Sequence, residues 1–599
     1  MSVKERAEIE KAYKWDLGTL FSSDEEWEKV FQDAKKRVGE VSSFKGTLDN
    51  ADSIKKFLDV RTSLSGLFSN LAEYAVLRYS EDTRDSTSQS MYSRVSMWLA
   101  GAEAEMSFAE PEILSLDSEK LDQIASDPLL ADYEFLLRDL IRRKPHTLSA
   151  GEEMVIAKLS DALETPGNTA DALRDADLTF EPALDSTGTE HEVTESGYIP
   201  LQMSSDRVLR RNSFKSFYKS YKEHINTFAN TYAGAVKTAV AEADLRHYPS
   251  SREMSMSADN IPVSVYDNLI DSVHRNMDKM YRYLRLRKRI LGVDELHYYD
   301  VYAPLSAGAA QKYSYEQAQE LVAEAVSPLG QEYVERVRKA YKEHWIDVYP
   351  NKGKRSGAFS AGTYDSNPFI LMNFTGNLDS VSTLAHEMGH SQHTWLATHT
   401  QPRQYSGYSL FVAEIASTVN ENLLVEQLLS KEDDPARRLA LLNQYLEGFK
   451  GTVYRQTMFA EFEKQAHAKA ENGESLDPAS FNGIYLELIK KYFGSDLVID
   501  DEVQYEWARI PHFYSPFYVY VYATGYSSAA ALSSKILSEG EPARRAYLEF
   551  LSMGGSRYPL DELRHAGVDL TTPKPIDEAL EKFGKVLDDA EACADKLGF

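Results

Sequence analysis

Thr383-Leu384-Ala385-His386-Glu387-Met388-Gly389-His390-Ser391-Gln392-His393 sets two histidines four residues apart around a glutamate. On a helix, such a pair shares one face, about 6 Å apart along the axis. Two imidazoles so placed meet one Zn²⁺. Glu387 is turned about 100° from His386, so its carboxylate reaches a water held by the metal. The spacing therefore predicts a zinc-hydrolase helix that supplies two ligands, His386 and His390, and a general base, Glu387, from about one turn. Val381, Leu384, Ala385 and Met388 make this helix apolar and predict its burial. Buried histidines and a buried carboxylate need a compensating partner, and a metal provides one.

A third protein ligand is required. His393 is seven residues from His386, about 10.5 Å along the helix, whereas ligand atoms around one Zn²⁺ sit within about 4 Å of each other. The longer H-E-x-x-H-x-x-G-x-x-H pattern also fails, because position 393 is His and position 396 is Leu. The third ligand is expected from another helix. Glu414, in Phe411-Val412-Ala413-Glu414-Ile415-Ala416-Ser417-Thr418, is the best candidate: small and apolar neighbours let its helix approach the first closely. Glu421 lies seven residues on and is either an acceptor behind a ligand imidazole or a solvated carboxylate. Asp379, seven residues before His386, either orients a ligand histidine or is an acid at a helix N-terminus.

The chain around this segment has 599 residues, 43% apolar and 27% charged, the balance of a water-soluble globular protein large enough for several structural regions. Its 31 Gly and 21 Pro are few, and Ala, Leu, Glu and Lys are frequent, which predicts a mainly α-helical fold. A formal net charge of −27 repels nucleic acid and anionic membrane surfaces, so neither is an expected partner. With one cysteine, Cys593, no disulfide forms within the chain, as in a reducing compartment. The acidic run before Cys593 disfavours a thiolate, and no role is assigned to it. The charged start, Met1 to Arg6, and the lack of a long apolar run argue against export and membrane insertion; the expected location is the cytoplasm.

Residues 1–110 read as amphipathic helices, with Leu58, Leu64, Leu67 and Leu71 at helical spacing. Lys144-Pro145-His146-Thr147-Leu148 breaks one helix, and Ser149 with Glu152 opens another that carries Ile156, Leu159 and Leu163. Leu178-Thr179-Phe180 and Glu192-Val193-Thr194 flank Asp185-Ser186-Thr187-Gly188, which predicts a short hairpin close to a domain boundary. Arg207, Arg210, Arg211, Lys215 and Lys219 read as a solvated basic helix face. Pro368 to Phe374 reads as a buried strand. His512-Phe513-Tyr514-Ser515-Pro516-Phe517-Tyr518-Val519-Tyr520-Val521-Tyr522 is dense in donors, although tyrosines at helical spacing usually pack in a core.

These residues together resemble the M3 family of thimet-type zinc oligopeptidases, and within it the oligoendopeptidase F branch. Beyond the histidine motif, the resemblance is carried by Lys354-Arg355-Ser356-Gly357-Ala358-Phe359, Gly362-Thr363-Tyr364-Asp365, Asn377-Leu378-Asp379-Ser380, Phe411-Val412-Ala413-Glu414, Pro145-His146-Thr147-Leu148 and Gly554-Gly555-Ser556. It implies a zincin-like, mainly α fold: two helical halves flanking a deep substrate channel, with a small β element beside the zinc helix. It implies an N-terminal helical region over 1–110, an oligoendopeptidase-F-type domain over 111–200 and an M3 catalytic domain over 201–599. One Zn²⁺ per chain is expected on His386, His390 and Glu414, with Glu387 as base. The family's His- and Tyr-rich segment falls on His512, Tyr522 and Tyr514, expected to contact substrate and transition state, with Gly525 allowing a bend or close approach. An edge strand around Phe369–Phe374 is expected to bind substrate main chain. The implied activity is internal cleavage of short oligopeptides. A dipeptidyl- or carboxypeptidase of the same family and a non-catalytic peptide-binding protein with a structural zinc are the alternatives.

Overall fold

A computed structural model describes residues 3–305 and 312–599. The fold is mainly helical, and its strands form three small sheets among the described residues. The chain divides into two compact units. One comprises Met1–Ala150, Ala310–Gln427 and Leu532–Val568; the other comprises Gly151–Ala309, Leu428–Ala531 and Asp569–Phe599.

In the first unit, helix Ala51–Glu81 begins at Asn50, whose side chain accepts from the Ser53 N–H and caps the first turn. Its stripe Ile54, Phe57, Leu58, Leu64, Phe68 and Leu71 is buried. Part of this stripe packs with Leu121, Leu137 and Leu140, and part with Trp27, Phe31, Phe369 and Leu371. Each such large side chain contributes about 1.5–3 kcal/mol on burial. The second group matters for the site, because it seats a three-stranded sheet on the helices.

In that sheet Phe369–Leu371 lies in the middle, parallel to Ile346–Asp347 and antiparallel to Phe359–Ala361. The buried strand expected from Pro368 to Phe374 is present, but it is not an edge. Both of its sides are used for pairing, so it has no free ladder for a peptide. Its three residues are all buried, as a central strand's continuous apolar run requires. The outer strands are Ile346–Asp347 and Phe359–Ala361. Lys354 reinforces the sheet: its Nζ lies 2.7 Å from Asp347 Oδ1 and donates to the Tyr349 and Met372 carbonyls. Both side chains of this pair are fully buried, and Arg6 pairs with the same Asp347 carboxylate, so removing Asp347 would leave the buried Lys354 ammonium without its counter-charge.

The second unit is built on helices that include Arg207–Glu223, Ile225–Leu245, Arg455–Glu471 and Pro478–Phe493. Tyr232, Phe462, Phe481, Trp507 and Phe513 form an aromatic core there, with ring centroids 4.9–6.3 Å apart. The predicted hairpin is present, but its strands are Ala183–Leu184 and Glu190–His191, tighter around the turn than expected. Asp185 causes this by accepting from the Thr187 and Thr189 backbone N–H groups, an Asx-type turn. The basic face of Arg207–Glu223 is not wholly solvated. Arg207 and Arg210 both pair with the fully buried Asp300 at 2.8 Å, and Arg210 is itself buried. Helix Ala150–Leu163 forms, yet Leu159 and Leu163 stay exposed. Cys593 is a buried free thiol. Among the described residues, no helix is long and apolar enough to cross a membrane.

Candidate active site

The histidine motif lies on helix Leu378–Thr400, which starts at Asn377, whose side chain accepts from the Ser380 N–H. Glu414 lies on helix Leu410–Lys431. A glycine decides how closely these two cross. A Cβ built on Gly389 would stand 2.5 Å from the Ala416 carbonyl oxygen and 2.6 Å from Ser417 Cα, closer than any side chain tolerates. Asn420, fully buried, pins the crossing: it donates to the Ala385 carbonyl at 3.1 Å and accepts from Tyr333 Oη at 3.0 Å.

This approach gathers three donor atoms. His386 Nε2 and His390 Nε2 are 3.2 Å apart, and each lies 3.4 Å from Glu414 Oε2. Among the described residues, these three form the group of His, Cys, Asp and Glu side chains close enough to share a metal ion. A tetrahedral zinc with bonds of about 2.0–2.1 Å spaces its ligand atoms about 3.3–3.4 Å apart. The donor set and its spacing therefore fit one zinc-type ion. Glu421 resolves the two readings left open for it: its carboxylate lies 3.1 Å from His386 Nδ1, so Nδ1 donates and Nε2 is left facing the cluster. Asp379 is an exposed residue of the helix's first turn. His393 points elsewhere, stacked on Tyr408 at 3.7 Å, and burial drives its pKa down to about 3, so it stays neutral.

The two imidazoles are walled by carboxylates. Burial opposes charge on His386, but Glu421, Glu387 and Glu414 outweigh it and lift its pKa to about 9. Burial likewise raises Glu414, yet His390, His386 and the Ser417 hydroxyl bring it down to about 2. Glu387 differs. Burial dominates, and its pKa is raised above the usual carboxylate value. Of Glu387 and Glu414, Glu387 is the carboxylate tuned toward accepting a proton.

Strand Phe359–Ala361 is joined to the histidine helix by Ser360, whose Oγ lies 2.8 Å from Ser391 Oγ. Ser360 sits opposite Ile370 in the ladder, so this outer strand of the sheet is registered against the helix carrying His386 and His390.

With this geometry in place, comparison with known proteins is direct. The description Peptidase family M3 matches residues 201–582, and Oligopeptidase F matches residues 112–180. The chain belongs to peptidase family M3. It is 43% identical to oligopeptidase PepF of Bacillus subtilis over 98% of this chain and 88% of that one, and 39% identical to group B oligopeptidase PepB of Streptococcus agalactiae over 98% of each. The solved oligoendopeptidase-F from Enterococcus faecium superposes with a TM-score of 0.75 at 34% identity, covering 96% of this chain and 99% of that one. A solved chain from Chlamydophila abortus gives 0.92 at 34% identity, covering 99% and 100%. M3 membership makes this protein an enzyme, a hydrolase of the metallopeptidase class.

The second unit holds the remaining site residues named from this M3 chain's sequence. His512 and Tyr522 stand together, with Tyr522 Oη 3.5 Å from His512 Nε2. Tyr518 joins them: its ring is 5.3 Å from Tyr522 and parallel to His512 at 6.4 Å. Sequence reasoning missed Tyr518, although its spacing of four from Tyr522 carried the signal. Tyr514 is apart from this group. Its hydroxyl lies 2.8 Å from the Thr231 hydroxyl, and its ring packs on Gly167. Burial and the nearby Arg174 lower the pKa of His512 and keep it neutral near pH 7.

Proposed function

We propose that the protein is a zinc-dependent endopeptidase that hydrolyses internal bonds of short oligopeptides. The observation that carries this reading is the triangle of His386, His390 and Glu414 donor atoms, 3.2–3.4 Å on a side, with Glu421 behind His386. Membership of the M3 family and the oligopeptidase names of its relatives support the substrate class. We likewise keep the division at about residues 110 and 200, and a cytoplasmic location, as proposals.

His386, His390 and Glu414 would hold one ion per chain, leaving a position open for the reaction. Bound there, zinc supplies a Lewis acid that polarises the scissile carbonyl and acidifies the attacking water. Glu387 takes that water's proton and returns it to the leaving amine. Glu421 keeps the His386 tautomer fixed. The outer strand Phe359–Ala361 receives the substrate main chain by β-addition, and its Ser360 link holds that ladder to the catalytic helix. His512 and Tyr522, with Tyr518, contact substrate through their ring and hydroxyl donors. Tyr514, whose hydroxyl meets that of Thr231, is the next candidate in the same segment.

The test combines metal analysis with cleavage of an internally quenched peptide of about ten residues. One zinc per chain, with internal cleavage lost to chelator and restored by zinc, is the expected result. Release of terminal dipeptides or single C-terminal residues, mapped by mass spectrometry, would replace the endopeptidase reading with an exopeptidase one. Zinc without any cleavage would point to a binding protein. Glu387→Gln should keep the metal and abolish turnover.

A further inference from the structure

One backbone feature of the second unit stands out beside the aromatic cluster. Phe517 has a φ of +56°, a left-handed conformation that is an outlier for a bulky side chain. Such a residue persists only where its surroundings over-determine it. Here they do. The Phe517 N–H donates to Glu463 Oε1 at 3.0 Å inside the core, and Glu463 is completely buried. The preceding carbonyl, of Pro516, accepts from Ser255 Oγ at 2.9 Å. The Phe517 ring is wedged against His467, 4.5 Å away, and against Tyr266 at 5.8 Å. His467 is held in turn by Ser251, whose Oγ lies 2.9 Å from Nδ1. Glu463 and His467 are four residues apart on helix Arg455–Glu471, so one helix face grips both the backbone and the ring of Phe517.

The next residue is Tyr518, and helix Tyr520–Glu539, which carries Tyr522, begins three residues after Phe517. The peptide plane that Glu463 holds therefore sets the direction in which the chain leaves toward both tyrosines. Among the described residues, Glu463 Oε2 has no hydrogen-bond partner and no cation beside it. A buried carboxyl that spends one oxygen on a single backbone N–H is an expensive choice for stability alone.

We propose that Glu463 is a positioning residue for the reaction: its hydrogen bond to Phe517 fixes the left-handed turn that presents Tyr518 and Tyr522 to the peptide. This rests on the proposed function, in which the His512, Tyr518 and Tyr522 group contacts substrate. Burial pushes the Glu463 carboxyl well above the usual carboxylate range, so a neutral acceptor suffices. An amide of the same shape keeps that acceptor.

The experiment measures kcat and KM per zinc-loaded chain, and hydrogen exchange at the Phe517 amide, in full-length variants. Glu463→Ala should speed exchange at Phe517 and lower kcat about 10–100-fold, the cost of misplacing a contacting group by about an ångström. Zinc content should be unchanged. Glu463→Gln should restore both readouts to within a few-fold. Wild-type kcat in Glu463→Ala, or a Gln variant as impaired as the Ala one, overturns the proposal. If Glu463→Ala does not fold, Ser255→Ala, which releases the Pro516 carbonyl, should lower kcat in the same sense, and an unaltered kcat there is equally fatal. Tyr518→Phe and Tyr522→Phe separate the two levels of inference. Full turnover in both would sink the reading of the aromatic group itself. Losses in both, with Glu463→Ala unaffected, would remove the positioning role alone.

Discussion

Glu421 stands behind His386, one of the three proposed metal ligands, and its effect on metal binding is calculable. Its bond to His386 Nδ1 fixes which imidazole nitrogen faces Glu414 and His390. Loss of such a partner typically costs 10–100-fold in metal affinity. Glu421→Ala should therefore weaken zinc binding by about that factor, while Glu421→Gln, which still offers a carbonyl oxygen, should lose less. Competition with a chelator of known affinity measures both, and equal affinities for wild type and Glu421→Ala would refute the orienting role. Glu73 makes a different prediction. It lies on helix Ala51–Glu81 with one carboxylate oxygen unpartnered among the described residues, and burial pushes its pKa up to about 7. The folded state thus binds this proton more tightly than the unfolded chain. The associated stability is fully present below about pH 4.5 and is lost as pH rises through about 7. Glu73→Gln should leave stability at pH 5 nearly unchanged and raise it at pH 8 by on the order of 1–3 kcal/mol. Denaturant unfolding at the two pH values checks this; equal shifts at both would show that Glu73 is ionised throughout.

The crossing of helices Leu378–Thr400 and Leu410–Lys431 is the element on which the metal triangle depends. Gly389→Ala puts a methyl group into the Ala416 carbonyl. The helices must separate, at a cost of about 1–3 kcal/mol for overpacking, and Glu414 must move away from the histidine pair. Gly389→Ala should lower zinc affinity more than tenfold and reduce thermal stability together; a loss of stability with zinc affinity intact would mean that Glu414 does not depend on the crossing. This dependence also explains what the sequence revealed. His386, Glu387 and His390 were legible because their geometry is local, set by 3.6 residues per turn. Glu414 followed from its small neighbours, and Gly389 is the matching small residue on the other helix. The strand from Phe369 to Leu371 was legible as a buried apolar run, but its place in the sheet was not. Strand order is fixed by pairing between distant segments, and only the fold shows that Phe369–Leu371 is central, with Ile346–Asp347 and Phe359–Ala361 on its two sides. Arg210 failed for the same reason. Its charge suggested water, while its partner Asp300 lies 90 residues away and fully buried. Tyr518 was hidden among tyrosines at similar spacing, where only packing separates Tyr514, bound to Thr231, from the pair beside His512.

Net charge belongs to the molecule as a whole. With 93 acidic and 66 basic side chains, the formal charge is −27, and much of it cannot be cancelled by local pairs. Surface charges act on an approaching peptide over a Debye length, about 10 Å at 0.1 M salt and about 3 Å at 1 M. The field therefore raises the encounter rate of cationic peptides and lowers that of anionic ones, and salt removes both effects. It does not act on kcat, because the bound peptide has already crossed the screened region. For two quenched peptides with the same cleavable core, one flanked by lysines and one by glutamates, kcat/KM at low salt should favour the basic peptide several-fold. Raising salt from about 0.05 to 0.5 M should bring the two values together, downward for the basic peptide and upward for the acidic one, with kcat unchanged for each. A preference that survives at high salt would instead assign selectivity to short-range contacts in the binding site. A salt effect confined to kcat would mean that ions act on the metal centre and not on approach.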